Sequence, residues 1–173
     1  MSSSGWQAEL AHWLSAKAGS HPCLAIVGVG NELNGDDAAG VEAARMLLPL
    51  LSGREDVLVI DGGPAPENIT GALRRFAPEA VLLIDAADLG EPPGTTHWID
   101  FAAITGLSAS THTLPLSVLA RYLVAELGCQ VALLGIQPAD LSLGAPLSIP
   151  VRAAVEAIVK TIREMINHQD EVG

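Results

Sequence analysis

At 173 residues and 17.9 kDa the chain is one domain in length, and 49% hydrophobic against 17% charged residues is a composition that buries a core instead of staying disordered. Nine Lys/Arg against 20 Asp/Glu leave a net charge of −11, which repels a phosphate backbone, and aromatics at 3% offer no stacking platform, so nucleic acid is a poor partner. The start, Met1 to Trp6, lacks a basic segment followed by an apolar run, and apolar runs stay far below the roughly 20 residues of a spanning helix. A cytoplasmic protein without membrane insertion is expected.

Residues 5–18 show helical spacing through Leu10, Trp13 and Leu14, then break at Gly19-Ser20-His21-Pro22. Residues 1–22 therefore read as an N-terminal appendage helix and linker, and 23–173 as a single catalytic α/β domain. A first strand is expected at 24–29. A helix follows from near Asp37 to about Leu51, with Val41, Ala44, Met46, Leu47 and Leu48 supplying apolar contacts. The second strand is Val57 to Ile60, ending in Asp61-Gly62-Gly63-Pro64, and a helix over 66–77 is closed by Pro78.

A third strand lies at 80–84, and the β-prone run Thr95 to Ile99 suits an edge strand. Pro115 fits the first turn of a helix reaching about Leu127. A strand at 130–136 and a helix from about Pro150 to Ile166 complete the order. Ser148 is placed to cap that last helix, and Val151, Ala154, Val155, Ile158 and Ile162 share one face. Strands that alternate with helices and are apolar on nearly every residue indicate a doubly wound α/β domain. Its sheet would be mainly parallel, roughly five-stranded and covered by helices on both faces. Cys23 and Cys129 each begin a strand and read as small buried hydrophobes.

Ligands of such sheets bind outside the carboxyl ends of the strands. Gly28-Val29-Gly30 follows the first strand, but Leu33 stands where a dinucleotide fingerprint needs its third glycine. Asp36 and Asp37 then occupy the helix start that would receive a phosphate. Nucleotide binding is disfavoured, and a cation is favoured. Asp36 suits a helix-starting role, whereas Asp37, followed by Ala38-Ala39-Gly40, has room around it for function. Asp85 ends a strand that is apolar on both faces, where a carboxylate needs compensation for lost hydration.

His112 lies in the polar stretch Ser108 to Thr111 and beyond, just before a helix; His12, His21, His97 and His168 have no such position. Asp37, Asp85 and His112 thus make a mixed oxygen and nitrogen set suited to Ni, Zn, Mn or Fe. Asp61 reads as a residue that shapes the site, its Gly62-Gly63 marking a sharp bend or a close approach to a bound chain. Asp88 reads as a solvated loop residue. Neither a His-Glu-x-x-His pair nor a Gly-x-Ser-x-Gly elbow is present, so hydrolysis would rely on a metal-polarised carbonyl or metal-bound water.

In order along 24–165, several segments together resemble the endopeptidases that mature nickel–iron hydrogenases, the HycI- and HybD-like peptidases. These are Gly28 through Gly40, Ile60 through Asn68, Leu83 through Asp88, Ser110 through Leu116, Leu134-Gly-Ile-Gln-Pro138 and Leu147-Ser148. The Asp-Gly-Gly-x-Ala-Pro-Glu-Asn and Gly-Ile-Gln-Pro forms look most like the branch serving formate-hydrogenlyase-type hydrogenases. The resemblance implies removal of a C-terminal extension from a nickel-loaded large-subunit precursor. It also implies that Asp37, Asp85 and His112 are catalytic and contact nickel. The metal would be supplied by that precursor, so the purified site would be empty or hold a surrogate divalent cation. Gly30, Asn31, Asp61, Gly62 and Gly63 would line the groove for the tail, with Asp61 or Asp88 assisting as a base.

The stretch before strand one departs from the family pattern. A monomer is expected. Two alternatives are a nickel- or precursor-binding chaperone that does not cut, and a metal-dependent small-molecule hydrolase or phosphorylase on the same sheet.

Overall fold

The structure, a computed structural model, describes residues 5–16, 23–104 and 116–172, with the side chains of 169–172 outside the description. Helix α1 is Gly5–Ser15. Strand β1 (Leu24–Val29) leads through a 3₁₀ turn, Gly35–Ala38, into α2 (Ala39–Leu50). Strand β2 (Val57–Gly63) leads through a second 3₁₀ turn, Pro66–Ile69, into α3 (Thr70–Phe76). Strand β3 (Ala80–Ala86), strand β4 (Thr96–Asp100), the short α4 (Phe101–Ile104), α5 (Leu116–Leu127), β5 (Gln130–Ile136) and α6 (Ile149–Val172) follow.

The five strands form one sheet in the order β2-β1-β3-β5-β4. β4 runs antiparallel to β5 at one edge, and the other pairings are parallel. The α/β arrangement and the edge strand agree with the expectation from sequence.

Alternation along the strands explains why they are apolar on both faces. Ile26, Leu82, Ile84 and Leu134 pack in one layer with Leu47 of α2 and Val155, Ile158 and Ile162 of α6. Their neighbours Val27, Val81, Leu83 and Leu133 pack in the opposite layer with Leu73 of α3 and Leu119 and Leu123 of α5. Trp6, Leu10 and Leu14 of α1 are buried in the first layer, and Trp13 meets Trp98 of β4 edge to face at 5.3 Å. The helix of the N-terminal segment is thus a structural part of the sheet's cover. Cys129 is buried, as expected, and Cys23 is half-buried.

Several boundaries differ from the sequence reading, each for a local reason. β2 continues through Asp61-Gly62-Gly63 because Gly28 pairs with Asp61 and Val29 with Gly63, leaving Gly62 as the extra residue of a bulge. Gly63, at φ 57°, makes the bend. The first turn after β1 is 3₁₀, and the α-helix proper starts at Ala39. α4 is one turn long and too short to leave a periodic signal. The proposed linker at 19–22 and Pro115 lie outside the described residues.

Glycine sets how near α2 sits to the sheet. A Cβ on Gly28 would lie 2.0 Å from the Gly40 carbonyl oxygen, and one on Gly40 would lie 2.0 Å from that of Ile84 and 2.4 Å from that of Val29. All three obstacles are backbone atoms that no rotamer change can move. Gly40→Ala is therefore expected to lower stability by about 2–3 kcal/mol, against a helix-propensity gain of about 1 kcal/mol. Urea unfolding measures it, and a variant as stable as the parent would show that α2 can shift without loss.

Candidate active site

Asp37 reaches the carboxyl rim through the same glycines. It sits in the 3₁₀ turn three residues ahead of Gly40, whose close fit over the ends of β1 and β3 fixes that turn against β3. Gly30, at φ 142°, passes so near the turn that an added Cβ would stand 1.8 Å from the Asp37 carbonyl oxygen. Asp37 is 4% exposed, and its Oδ2 accepts the Asn31 amide at 3.0 Å. Asn31 in turn accepts the Leu33 amide through Oδ1 at 3.0 Å. The loop after β1 thus wraps the carboxylate while keeping it at the rim.

Asp85 is 1% exposed, the residue before last in β3, opposite Gly135 of β5. Strand alternation puts it on the side of Leu83, the layer covered by α5. His112 belongs to the segment that leads into α5 and lies outside the described residues. Two buried carboxylates therefore share the rim where β1 and β3 end. Among the described residues no three His, Cys, Asp or Glu side chains form a metal-sized group. The donor chemistry of a site completed by an imidazole suits a borderline divalent cation.

Asp36 takes a different part from its neighbour. It is fully buried and caps nothing in its own helix. Oδ2 accepts the amides of Ala139 and Asp140, at 2.8 and 3.0 Å, and the Ser148 hydroxyl at 2.9 Å; Oδ1 accepts the Ser148 amide at 2.7 Å. The Asp36 amide donates back to the Asp140 carbonyl at 2.8 Å. Burial pushes this carboxyl up, yet the bonds from Ser148, Asp140 and Ala139 outweigh it and hold it below its ordinary 3.8. Ser148 stands just before α6, and its carbonyl accepts the Arg152 amide. Ser148 thus holds the N-cap position expected from the sequence, while its hydroxyl donates to Asp36.

Asp61 faces a cavity of about 260 Å³ lined by Gly30, Asn31, Glu32, Leu33, Arg45 and Gly63, among others. Of the groove residues expected from sequence, Gly30, Asn31, Asp61 and Gly63 line it, while Gly62 lies tight against β1. Asp61 Oδ2 accepts from Arg45 Nε at 2.8 Å, and its Oδ1 accepts the Gly63 amide at 3.1 Å. Arg45 also donates to Glu32 and, at 3.5 Å, to Glu42. The contacts with Glu32 and Asp61 hold the guanidinium above its already high ordinary value. Periodicity gave no hint of Arg45 or Glu32, because their partners are distant in sequence and on other elements. This volume is at the small end of the range of ligand clefts, roughly 300–1,000 Å³.

Asp88 accepts the Gly90 amide at 3.2 Å, so it closes its own turn. Gln137, from the Gly-Ile-Gln-Pro segment, accepts the Leu89 and Glu91 amides through Oε1 at 2.6 and 3.3 Å and braces the loop after β3. That motif therefore has a structural use beside the rim.

The family model described as hydrogenase maturation protease matches residues 41–165. A putative hydrogenase maturation protease of Methanocaldococcus jannaschii is 33% identical over 149 residues, covering 83% of this chain and 88% of that protein. The hydrogenase 3 maturation protease of Escherichia coli is 37% identical over 135 residues, covering 78% and 85%. Among solved structures, the [NiFe] hydrogenase maturation protease HycI of Thermococcus kodakarensis superposes with a TM-score of 0.81 at 30% identity, over 91% of this chain and 99% of that one. With the same α/β fold and agreement across most of both lengths, the chain belongs to the hydrogenase maturation protease family, whose members are endopeptidases.

Proposed function

We propose that the chain removes the C-terminal extension of a nickel-loaded large-subunit precursor of a nickel–iron hydrogenase. The observation that carries the reading is the pair of buried carboxylates, Asp37 and Asp85, held at one rim by glycine-mediated packing of α2 on β1 and β3. His112, from the segment ahead of α5, completes the set. Nickel would arrive as part of the substrate, Asp37, Asp85 and His112 would hold it, and the chemistry it would supply there is a polarised carbonyl or an activated water.

The chain's own residues do the positioning. Asn31 orients Asp37 through its amide, and the Gly30–Leu33 loop and the Asp61–Gly63 bulge bound the cavity that takes the adjacent peptide. Fixing the scissile bond beside the ion replaces a bimolecular encounter by an oriented one. The reading places the reaction in the cytoplasm, where a fresh precursor is available, and treats the enzyme as a monomer. No helix among the described residues is long and apolar enough to cross a membrane.

Incubating the chain with nickel-loaded and nickel-free precursor and weighing the products tests it. Loss of the extension's mass from the loaded precursor alone is expected. Binding with unchanged mass would identify a chaperone, and equal cleavage of both forms would remove nickel from recognition.

A further inference from the structure

Four large apolar side chains stand in solvent beside the candidate site: Leu33 at 60% exposure, Leu141 at 45%, Leu143 at 80% and Ile149 at 85%. They come from two loops and the first turn of α6, and the structure ties those pieces together. The Gly144 amide donates to the Leu33 carbonyl at 2.7 Å, and Asp36 grips Ala139, Asp140 and Ser148. Ser142 closes its own turn by donating its amide to Asp140 at 2.8 Å. Residues 141–151 carry no charged side chain, in a protein with a net charge of −11. An apolar face that is exposed yet fastened from beneath is a binding feature, since its ordering is complete before a partner arrives.

We propose that Leu141, Leu143 and Ile149, continuous with Leu33, form a docking face for an apolar surface patch on the folded body of the precursor. The inference rests on the proposed function and adds to it a contact away from the cleavage point. Leu33 belongs both to this face and to the lining of the cavity. The shared Leu33 sets the face at the edge of the cavity, which makes the body of the precursor whose tail lies there its proposed occupant. The large exposure of Leu143 and Ile149 also means that polar substitutions there leave the core untouched.

The double variant Leu143→Ser/Ile149→Ser tests this, with Leu50→Ser, exposed at the far end of α2, as the control. Cleavage kinetics on nickel-loaded precursor and a direct titration of precursor binding are both read. The expected result is at least a tenfold rise in KM and a matching rise in Kd for the double variant, with the control equal to wild type. If wild type cleaves and the double variant matches it in KM and Kd, the docking face is overturned while the function stands. Wild-type binding without cutting would sink the cleavage reading alone, and the Kd comparison still decides the face. Wild type that neither binds nor cuts the precursor would overturn both. A wild-type dimer that the double variant dissolves would assign the face to a second copy and overturn the proposal.

Discussion

Asp37→Asn and Asp85→Asn are each expected to cut precursor processing by about 10²–10³-fold or more, with unfolding midpoints within a few degrees of wild type. The substitution keeps shape and an acceptor oxygen: Asn at position 37 can still take the Asn31 amide that Asp37 accepts at 3.0 Å. What it removes is the negative charge, which a site binding a cation needs and a merely structural contact does not. The two readings of a buried carboxylate therefore part company. A structural Asp85 would show a lowered midpoint and normal activity per folded molecule; a catalytic one shows the reverse. Rate assays on loaded precursor beside thermal unfolding of the same samples make the distinction.

Asp36→Ala should act the opposite way, lowering stability by about 3–5 kcal/mol. It removes the buried acceptor of three amides and a hydroxyl in part-buried bonds, each loss worth up to about 1–3 kcal/mol, and the losses are not additive. For a domain of this size that corresponds to roughly 6–20 °C in the unfolding midpoint. The pH dependence follows from the direction of the shift. The folded carboxyl titrates below its ordinary 3.8, so its stabilisation is complete above that value and is lost as the pH falls through the lower, folded one. Wild type should lose midpoint more steeply than Asp36→Asn below pH 4, and parallel curves would refute the clamp. Because Asp36 also supports the loop that carries Leu141 and Leu143, some loss of precursor affinity should accompany the loss of stability.

On the proposed function the adjacent acids Asp36 and Asp37 divide the labour, and the sequence shows only part of that division. Strands such as Val81 to Ile84 were legible because a strand buried on both faces is apolar at every position. The helices were legible from the repeat that places Val151, Val155, Ile158 and Ile162 together on α6. Asp85 was legible as an acid at the end of such a strand.

Asp36 reads as structural from its place at a helix start, but its partners lie more than a hundred positions away, at Ala139, Asp140 and Ser148, and no local pattern encodes them. Ser148 was legible as the residue that starts α6, but the bond of its hydroxyl to Asp36 was not. Arg45 was silent for the same reason as Asp36, since Glu32 and Asp61 meet it only once α2 packs beside the ends of β1 and β2. The glycines were half legible. A Gly-Gly pair announced a bend, but the need for Gly40 arises from the carbonyls of Val29 and Ile84 above it.

Anomalous diffraction from crystals soaked in a nickel salt asks whether the three candidate ligands meet. A single peak is predicted at the rim beyond β1 and β3, with Asp37, Asp85 and His112 each within about 2.0–2.3 Å of it. An ion bound elsewhere, or one held by the two carboxylates while His112 points to another face of the molecule, would contradict the site.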